Sequence, residues 1–288
     1  MARKMLVTGC SSGFGLAIAR AAQASGWQVM GTVRKESDAA GLLEAGCEFT
    51  LLDVCDEASV QAFGGAVRTW AAEGLACLVN NAGTTYPGPA VGLTREDLRA
   101  QFEVNTIGQL AVTRELLDSL VVAQGRVIFI SSISGFMATP MLGAYAASKR
   151  ALEALAEAFA LETGGLGVST CVIEPGSYAT AIWETSVQRG ERYFEETGPF
   201  LESTRDHLRD IAQRTKAAAL SQPMGDPAAL ARFVVAKADA RRVPFYMVSP
   251  GMPRLLRFLH WLLPVRWMQA IVMSQLAKGQ WRGSAAPD

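Results

Sequence analysis

Seven short apolar runs alternate with longer stretches of helical period, and this alternation limits the fold more than any other feature of the 288 residues. The runs are Met5–Thr8, Gln28–Val33, Glu48–Leu52, Cys77–Asn80, Arg126–Ser131, Gly167–Ile173 and Pro244–Val248. Helical period runs through Phe14–Ala24, Ala58–Trp70, Arg95–Leu120, Ala144–Glu162 and Pro227–Ala238. Strands separated by helices of this length need crossover connections, which are right-handed and leave helices on both faces of a parallel sheet. The expectation is an α/β, doubly wound fold with a seven-stranded parallel sheet and ligands at the carboxyl ends of the strands.

Composition removes several other classes. Half of the residues are hydrophobic, so a core is affordable and disorder is excluded. The 27 basic and 27 acidic side chains cancel, which argues against gripping nucleic-acid phosphates. That zero is uneven: residues 241–288 hold seven basic side chains and one acidic, leaving 20 and 26 for residues 1–240. The five cysteines (Cys10, Cys47, Cys55, Cys77, Cys171) form no C-x-x-C pair, and only His207 and His260 accompany them, so no metal site is expected. Residues 4–8 already read as strand, with no apolar leader ahead of them, and a reducing, cytoplasmic location is expected.

The first run leads into Thr8-Gly9-Cys10-Ser11-Ser12-Gly13-Phe14-Gly15 and then a helix. Glycine is required where the turn is tight, where backbone approaches a pyrophosphate, and where helix packs on strand. The free N–H groups and positive dipole end of the helix then face phosphate. The spacing is G-x-x-x-G-x-G rather than G-x-G-x-x-G.

With this loop, the chain resembles the short-chain dehydrogenase/reductase family, in its single-domain branch, over about residues 4–250. Matching motifs follow in order: Asp53-Val54, Asn80-Asn81-Ala82-Gly83, Asn105, Ser132, Tyr145 with Lys149, and Pro175-Gly176 with Thr180 four residues beyond. The resemblance implies a Rossmann fold and a nicotinamide cofactor held by Gly9, Ser11, Ser12, Gly13, Phe14, Gly15, Arg34, Asp53, Val54, Asn81, Ala82, Gly83, Tyr145, Lys149, Pro175, Gly176, Tyr178 and Thr180. It also implies Asn105, Ser132, Tyr145 and Lys149 as the catalytic set, with Asn105 holding a water that links Lys149 to solvent. Asn105 also reads as a helix cap or a buried amide satisfying backbone.

Tyr145 and Lys149 lie four apart on a helical stretch, so they share one face. An ammonium beside a phenol lowers its pKa and suits it to exchange a proton with a carbonyl or alcohol. Ser132 would hydrogen-bond the substrate oxygen. The second run ends at Val33, which cannot accept hydrogen bonds from a ribose, and Arg34 follows. A guanidinium pairs with a 2′-phosphate, so NADP(H) is expected over NAD(H); Arg34 and Lys35 as plain surface charges, with Glu36 or Asp38 reaching the ribose, is the alternative.

The resemblance places Tyr86, Ser134, Met137, Met141, Tyr178 and Trp183 near the nicotinamide. The apolar character of most of them points to a hydrophobic ketone, aldehyde or alcohol. Ile173-Glu174-Pro175-Gly176 and Gly31-Thr32-Val33-Arg34 are similar to the 17β-hydroxysteroid and retinol dehydrogenase subgroup. A non-catalytic NADP(H) sensor on the same fold, and epimerisation or dehydration of a nucleotide sugar, are the rival functions. The first leaves Tyr145 without a purpose, and the second usually brings a larger C-terminal domain.

Residues 1–252 read as one dinucleotide-binding and catalytic domain, in which 181–222 interrupts the alternation as a substrate lid. Residues 253–288 read as a helical extension. Within it, 254–278 form two amphipathic helices divided at Pro264, too often charged to span a membrane. Their apolar face is expected to pack on the domain, a second subunit or the crevice; a peripheral membrane contact is the alternative. A homo-oligomer is expected by analogy with the family.

Overall fold

The computed structural model of the chain describes residues 3–176, 178, 201–221 and 225–278. Its seven strands are β1 (Lys4–Val7), β2 (Gln28–Val33), β3 (Glu48–Leu51), β4 (Cys77–Asn80), β5 (Arg126–Ile130), β6 (Ser169–Glu174) and β7 (Tyr246–Val248). They form one sheet in the order β3-β2-β1-β4-β5-β6-β7, every pair parallel. The order reverses between β1 and β4, which opens a crevice at their carboxyl ends.

Alternate residues of each strand feed two cores, as a pleat buried on both faces requires. On one face Met5, Val7, Val29, Val79, Ile128 and Ile173 pack with α1 (Gly13–Ala24) and with a helix at Pro227–Asp239. On the other, Leu6, Leu78, Val127, Phe129 and Val172 pack with α2's successor α3 (Glu57–Trp70) and with α7 (Gly143–Thr163). The short α2 (Ala40–Leu43) sits at the β2–β3 crossover. Asp56 caps α3 by accepting from Ala58 N–H at 3.0 Å.

The stretch expected as one helix from Arg95 to Leu120 is broken. It consists of α4 (Arg95–Phe102), a π turn at Glu103–Ile107, α5 (Gly108–Glu115) and α6 (Leu117–Ala123). The turn widens where Asn105 and Thr106 bond outward to Thr84 and Ser148. Part of the expected lid, residues 181–200 and 222, lies outside the described residues, Trp183 included; the rest carries α8 (Glu202–Ser221). Pro227–Asp239 is α9, entered through an Asp226 cap.

Beyond β7 come α10 (Met252–Leu262) and α11 (Val265–Lys278), divided at Pro264. Met268 and Leu276 of α11 are buried, and this helix packs beside α8. Of the three expected partners for the apolar face, the domain itself does not cover most of that face in α10. Its half-buried residues are Pro253, Leu256, Arg257, Leu259 and His260, while Met252, Leu255, Phe258, Trp261 and Leu262 face out. No helix among the described residues is long and apolar enough to cross a membrane.

Candidate active site

The glycine loop is tied down from both neighbouring strands. Gly9 N–H donates to Thr32 Oγ1 at 3.1 Å, and Cys10 N–H to Thr32 O at 2.8 Å. Thr8 Oγ1 accepts from the N–H groups of Asn81 (2.9 Å) and Ala82 (3.0 Å), while the Asn81 amide donates to Thr8 O at 2.9 Å. These bonds press the two loops together. A Cβ on Gly15 would lie 2.1 Å from Gly9 O, and one on Gly9, whose φ is +72°, would lie 2.9 Å from Ala82 Cα. Ser11 and Ser12 are exposed, and the first turn of α1 carries no acidic side chain. Such a helix start, with free N–H groups and no competing carboxylate, fits a pyrophosphate.

At the adenine side, Val33 is buried and Arg34 is exposed. Asp53 accepts from Cys55 N–H at 3.0 Å, fixing the turn after β3. Val54 packs where a Cβ on Gly108 would sit 2.8 Å away, which holds this turn on α5. Tyr178 stacks edge-on against Phe14 of the phosphate loop, with ring centres 5.2 Å apart. Thr180 lies outside the described residues.

The four expected catalytic residues converge at the carboxyl ends of β4 and β5. Lys149 is buried and its Nζ donates to Ile130 O at 2.8 Å, one turn beyond Tyr145 and 5.9 Å from its ring centre. The Ser132 hydroxyl lies close enough to the Tyr145 phenol to pull its pKa down, and Ser132 Oγ accepts from Ser134 N–H at 3.1 Å. Asn105 Oδ1 accepts from Thr84 N–H at 2.8 Å, and its amide donates to Thr84 O (3.0 Å) and Ser148 Oγ (3.1 Å). A Cβ on Gly83 would meet Asn105 Oδ1 at 3.5 Å and Lys149 Nζ at 3.8 Å, so all three line one spot. The side-chain geometry of Asn105 is that of a buried amide bracing the Thr84 loop on α7.

Electrostatics here differ from expectation in one respect. Burial pushes the Tyr145 phenol up, and the neighbouring Ser132 hydroxyl pulls it down, while Lys149 Nζ is turned to Ile130 O. Burial draws Lys149 down to about 8, against the attraction of Glu153. Of the expected substrate contacts, Tyr86 is half-buried and its N–H donates to Gln101 Oε1 at 2.8 Å. Met141 has φ +65°, a conformation a side chain rarely adopts, and its carbonyl accepts from Gly88 N–H at 2.8 Å. That strained turn leads straight into α7 and Tyr145. Ser134 is buried with its N–H on Ser132.

A short chain dehydrogenase family model matches residues 3–190, well over half of the chain. The chain belongs to the short-chain dehydrogenase family. It is 34% identical over 291 residues to an NADPH-dependent 3-dehydrocapnine reductase of Ornithobacterium rhinotracheale, covering 96% of this chain and 98% of that one. Human retinol dehydrogenase 5 is 37% identical over 183 residues, 62% of this chain and 57% of its own, in line with the expected subgroup. A solved short-chain dehydrogenase from Streptomyces avermitilis superposes with a TM-score of 0.73 at 29% identity, covering 98% and 99% of the two chains.

This short-chain dehydrogenase also carries a buried acidic pair that the sequence reading passed over. Glu153, one turn beyond Lys149, accepts from Ser131 Oγ at 2.5 Å. The Glu174 carboxyl, fully buried at the end of β6, lies close enough to Glu153 to feel its charge. Arg257 of α10 donates to Glu174 Oε1 at 2.6 Å and spreads over the rings of Phe136 and Tyr246. Burial and the Glu153 charge raise Glu174 to about 8 against the pull of Arg257, and burial raises Glu153 as well. Glu174 Oε2 meets no hydrogen-bond partner. A lone Glu ending an apolar strand run was the available signal.

Proposed function

We propose that the chain is an NADP(H)-dependent oxidoreductase interconverting a hydrophobic ketone or aldehyde and its alcohol, with Tyr145 as the proton-transfer group. The observation that carries this reading is Tyr145 set one turn from a buried, backbone-anchored Lys149, whose Nζ lies 5.9 Å from the tyrosine ring, with the Ser132 hydroxyl beside the phenol. When bound, the nicotinamide supplies or accepts the hydride.

The chain's own residues do the remainder. Ser132 holds the substrate oxygen next to the phenol, its Oγ fixed in place by the bond it accepts from Ser134 N–H. Tyr145, pushed up by burial, is a neutral donor at neutral pH, which suits protonation of a developing alkoxide and hence the reductive direction. Lys149 backs the phenol with positive charge and braces the end of β5. The loop from Gly9 to Gly15 holds the pyrophosphate, Arg34 the 2′-phosphate, and Asp53 and Val54 the adenine edge. The NADPH dependence named for the 3-dehydrocapnine reductase, which matches this chain end to end, supports the choice of NADP(H).

The test is turnover with NADPH and with NADH against ketones, aldehydes, steroids and retinoids. NADPH-linked reduction of an apolar carbonyl is the expected outcome, and turnover with no member of the panel would defeat the reading. Arg34→Ala is expected to raise KM for NADPH by about 10–100-fold, the value of charge-assisted bonds to one phosphate, while KM for NADH stays within about twofold. Equal effects on the two would remove the 2′-phosphate role.

A further inference from the structure

Helix α10 is turned with its apolar side outward. Pro253 sits where a Cβ on Gly176 would be 2.6 Å away, Arg257 reaches Glu174, and His260 meets the Phe136 ring at 5.5 Å. These contacts fix the helix and leave Met252, Leu255, Phe258, Trp261 and Leu262 on the opposite side, each half or more exposed, Trp261 at 79%. The stripe runs on through Val265 and Trp267, both 66% exposed. Arg254 and Arg266 are exposed at its margins, and residues 241–278 contain no acidic side chain.

We propose that this stripe docks on an anionic phospholipid surface. Two indoles on an apolar helix face, flanked by guanidinium groups, match the boundary between acyl chains and anionic headgroups. Charge selects this occupant over a second copy of the chain. A two-fold contact through the stripe would set Arg254 and Arg266 against their own counterparts, with no carboxylate in the segment to pair with them. A lipid surface of phosphate groups meets both cations with opposite charge. Because the inner side of α10 lines Gly176, Phe136 and Glu174, docking would hold the carboxyl edge of the sheet, where Ser132 and Tyr145 lie, against the lipid.

The experiment is sedimentation of the full chain with phosphatidylcholine vesicles, with and without phosphatidylglycerol, at rising salt. Binding to the anionic vesicles that weakens with salt is expected. Phe258→Asp with Trp261→Asp should lower the partition coefficient by about tenfold or more, since each ring then loses its burial. Arg254→Glu with Arg266→Glu should abolish the preference for phosphatidylglycerol. Far-ultraviolet circular dichroism and the melting temperature of each variant show that the fold is kept. Absence of wild-type binding to anionic vesicles overturns the proposal. So does binding that survives Phe258→Asp with Trp261→Asp, or an oligomer that this double variant splits while the wild type ignores vesicles; the last result would make the stripe a contact between copies.

Discussion

Tyr145→Phe is expected to lower kcat by about a thousandfold or more, the size of a lost general acid, with NADPH binding and melting temperature little changed. The substitution removes one oxygen and leaves the ring on α7. Ser132 keeps its bond from Ser134 N–H, and Lys149 keeps Ile130 O, so the fault is confined to the proton. Steady-state reduction of an apolar ketone, with cofactor affinity measured separately by fluorescence, reads the two effects apart. Full activity in this variant would exclude Tyr145 as the acid. A fall in cofactor affinity of the same size as the fall in kcat would instead make the tyrosine a binding residue.

The second large effect concerns stability. Glu174→Gln is expected to remove a loss of stability that the wild type suffers between about pH 5 and pH 8. The sign follows from proton counting. The Glu174 carboxyl titrates near 4.5 when unfolded and at about 8 when folded, so the folded chain holds the extra proton throughout that window. Stability is then full below the unfolded value and falls as pH rises through the folded one. Burial moves Glu153 in the same direction, and its charge acts on Glu174, so the two carboxyls titrate as a pair. The wild-type loss should total about 2–4 kcal/mol. Glutamine stays neutral, still accepts from Arg257, and offers its amide to Glu153. Urea unfolding of both proteins at pH 5, 6, 7 and 8 tests this, and parallel pH slopes would show that the pair is not what titrates.

Much of the architecture was legible in the residues because the sheet is buried on both faces. Such strands appear as unbroken apolar runs, and all seven lie within a few residues of where those runs stand. The glycine loop and the Ser132, Tyr145 and Lys149 spacing were equally visible, since each depends on short-range geometry. What stayed hidden depends on distant partners. The helical pattern through Asn105 carries no local sign of the π turn, because the cause is a set of bonds to Thr84 and Ser148 from other parts of the chain. The Glu174–Arg257 pair spans 83 residues, and nothing in either neighbourhood points to the other. In the tail, periodicity announced an amphipathic helix but not which side faces in. Arg257 decides that, since a buried carboxyl attracts the guanidinium and the apolar stripe must follow the helix round.

The π turn at Glu103–Ile107 also sets the angular phase of everything before it. One extra residue in a turn rotates the preceding helix by about 100° relative to a regular α-helix. Gln101, just upstream, uses that phase to hold Thr84 O at 2.8 Å and Tyr86 N–H at 2.8 Å, while Gln109, just downstream, holds Ala82 O at 2.7 Å. Two glutamines on helices of different phase therefore clasp one loop from both ends. Deleting a single residue from the turn would leave the helix continuous and its composition almost unchanged. It would still swing Gln101 away and release the wall of the crevice opposite Tyr145.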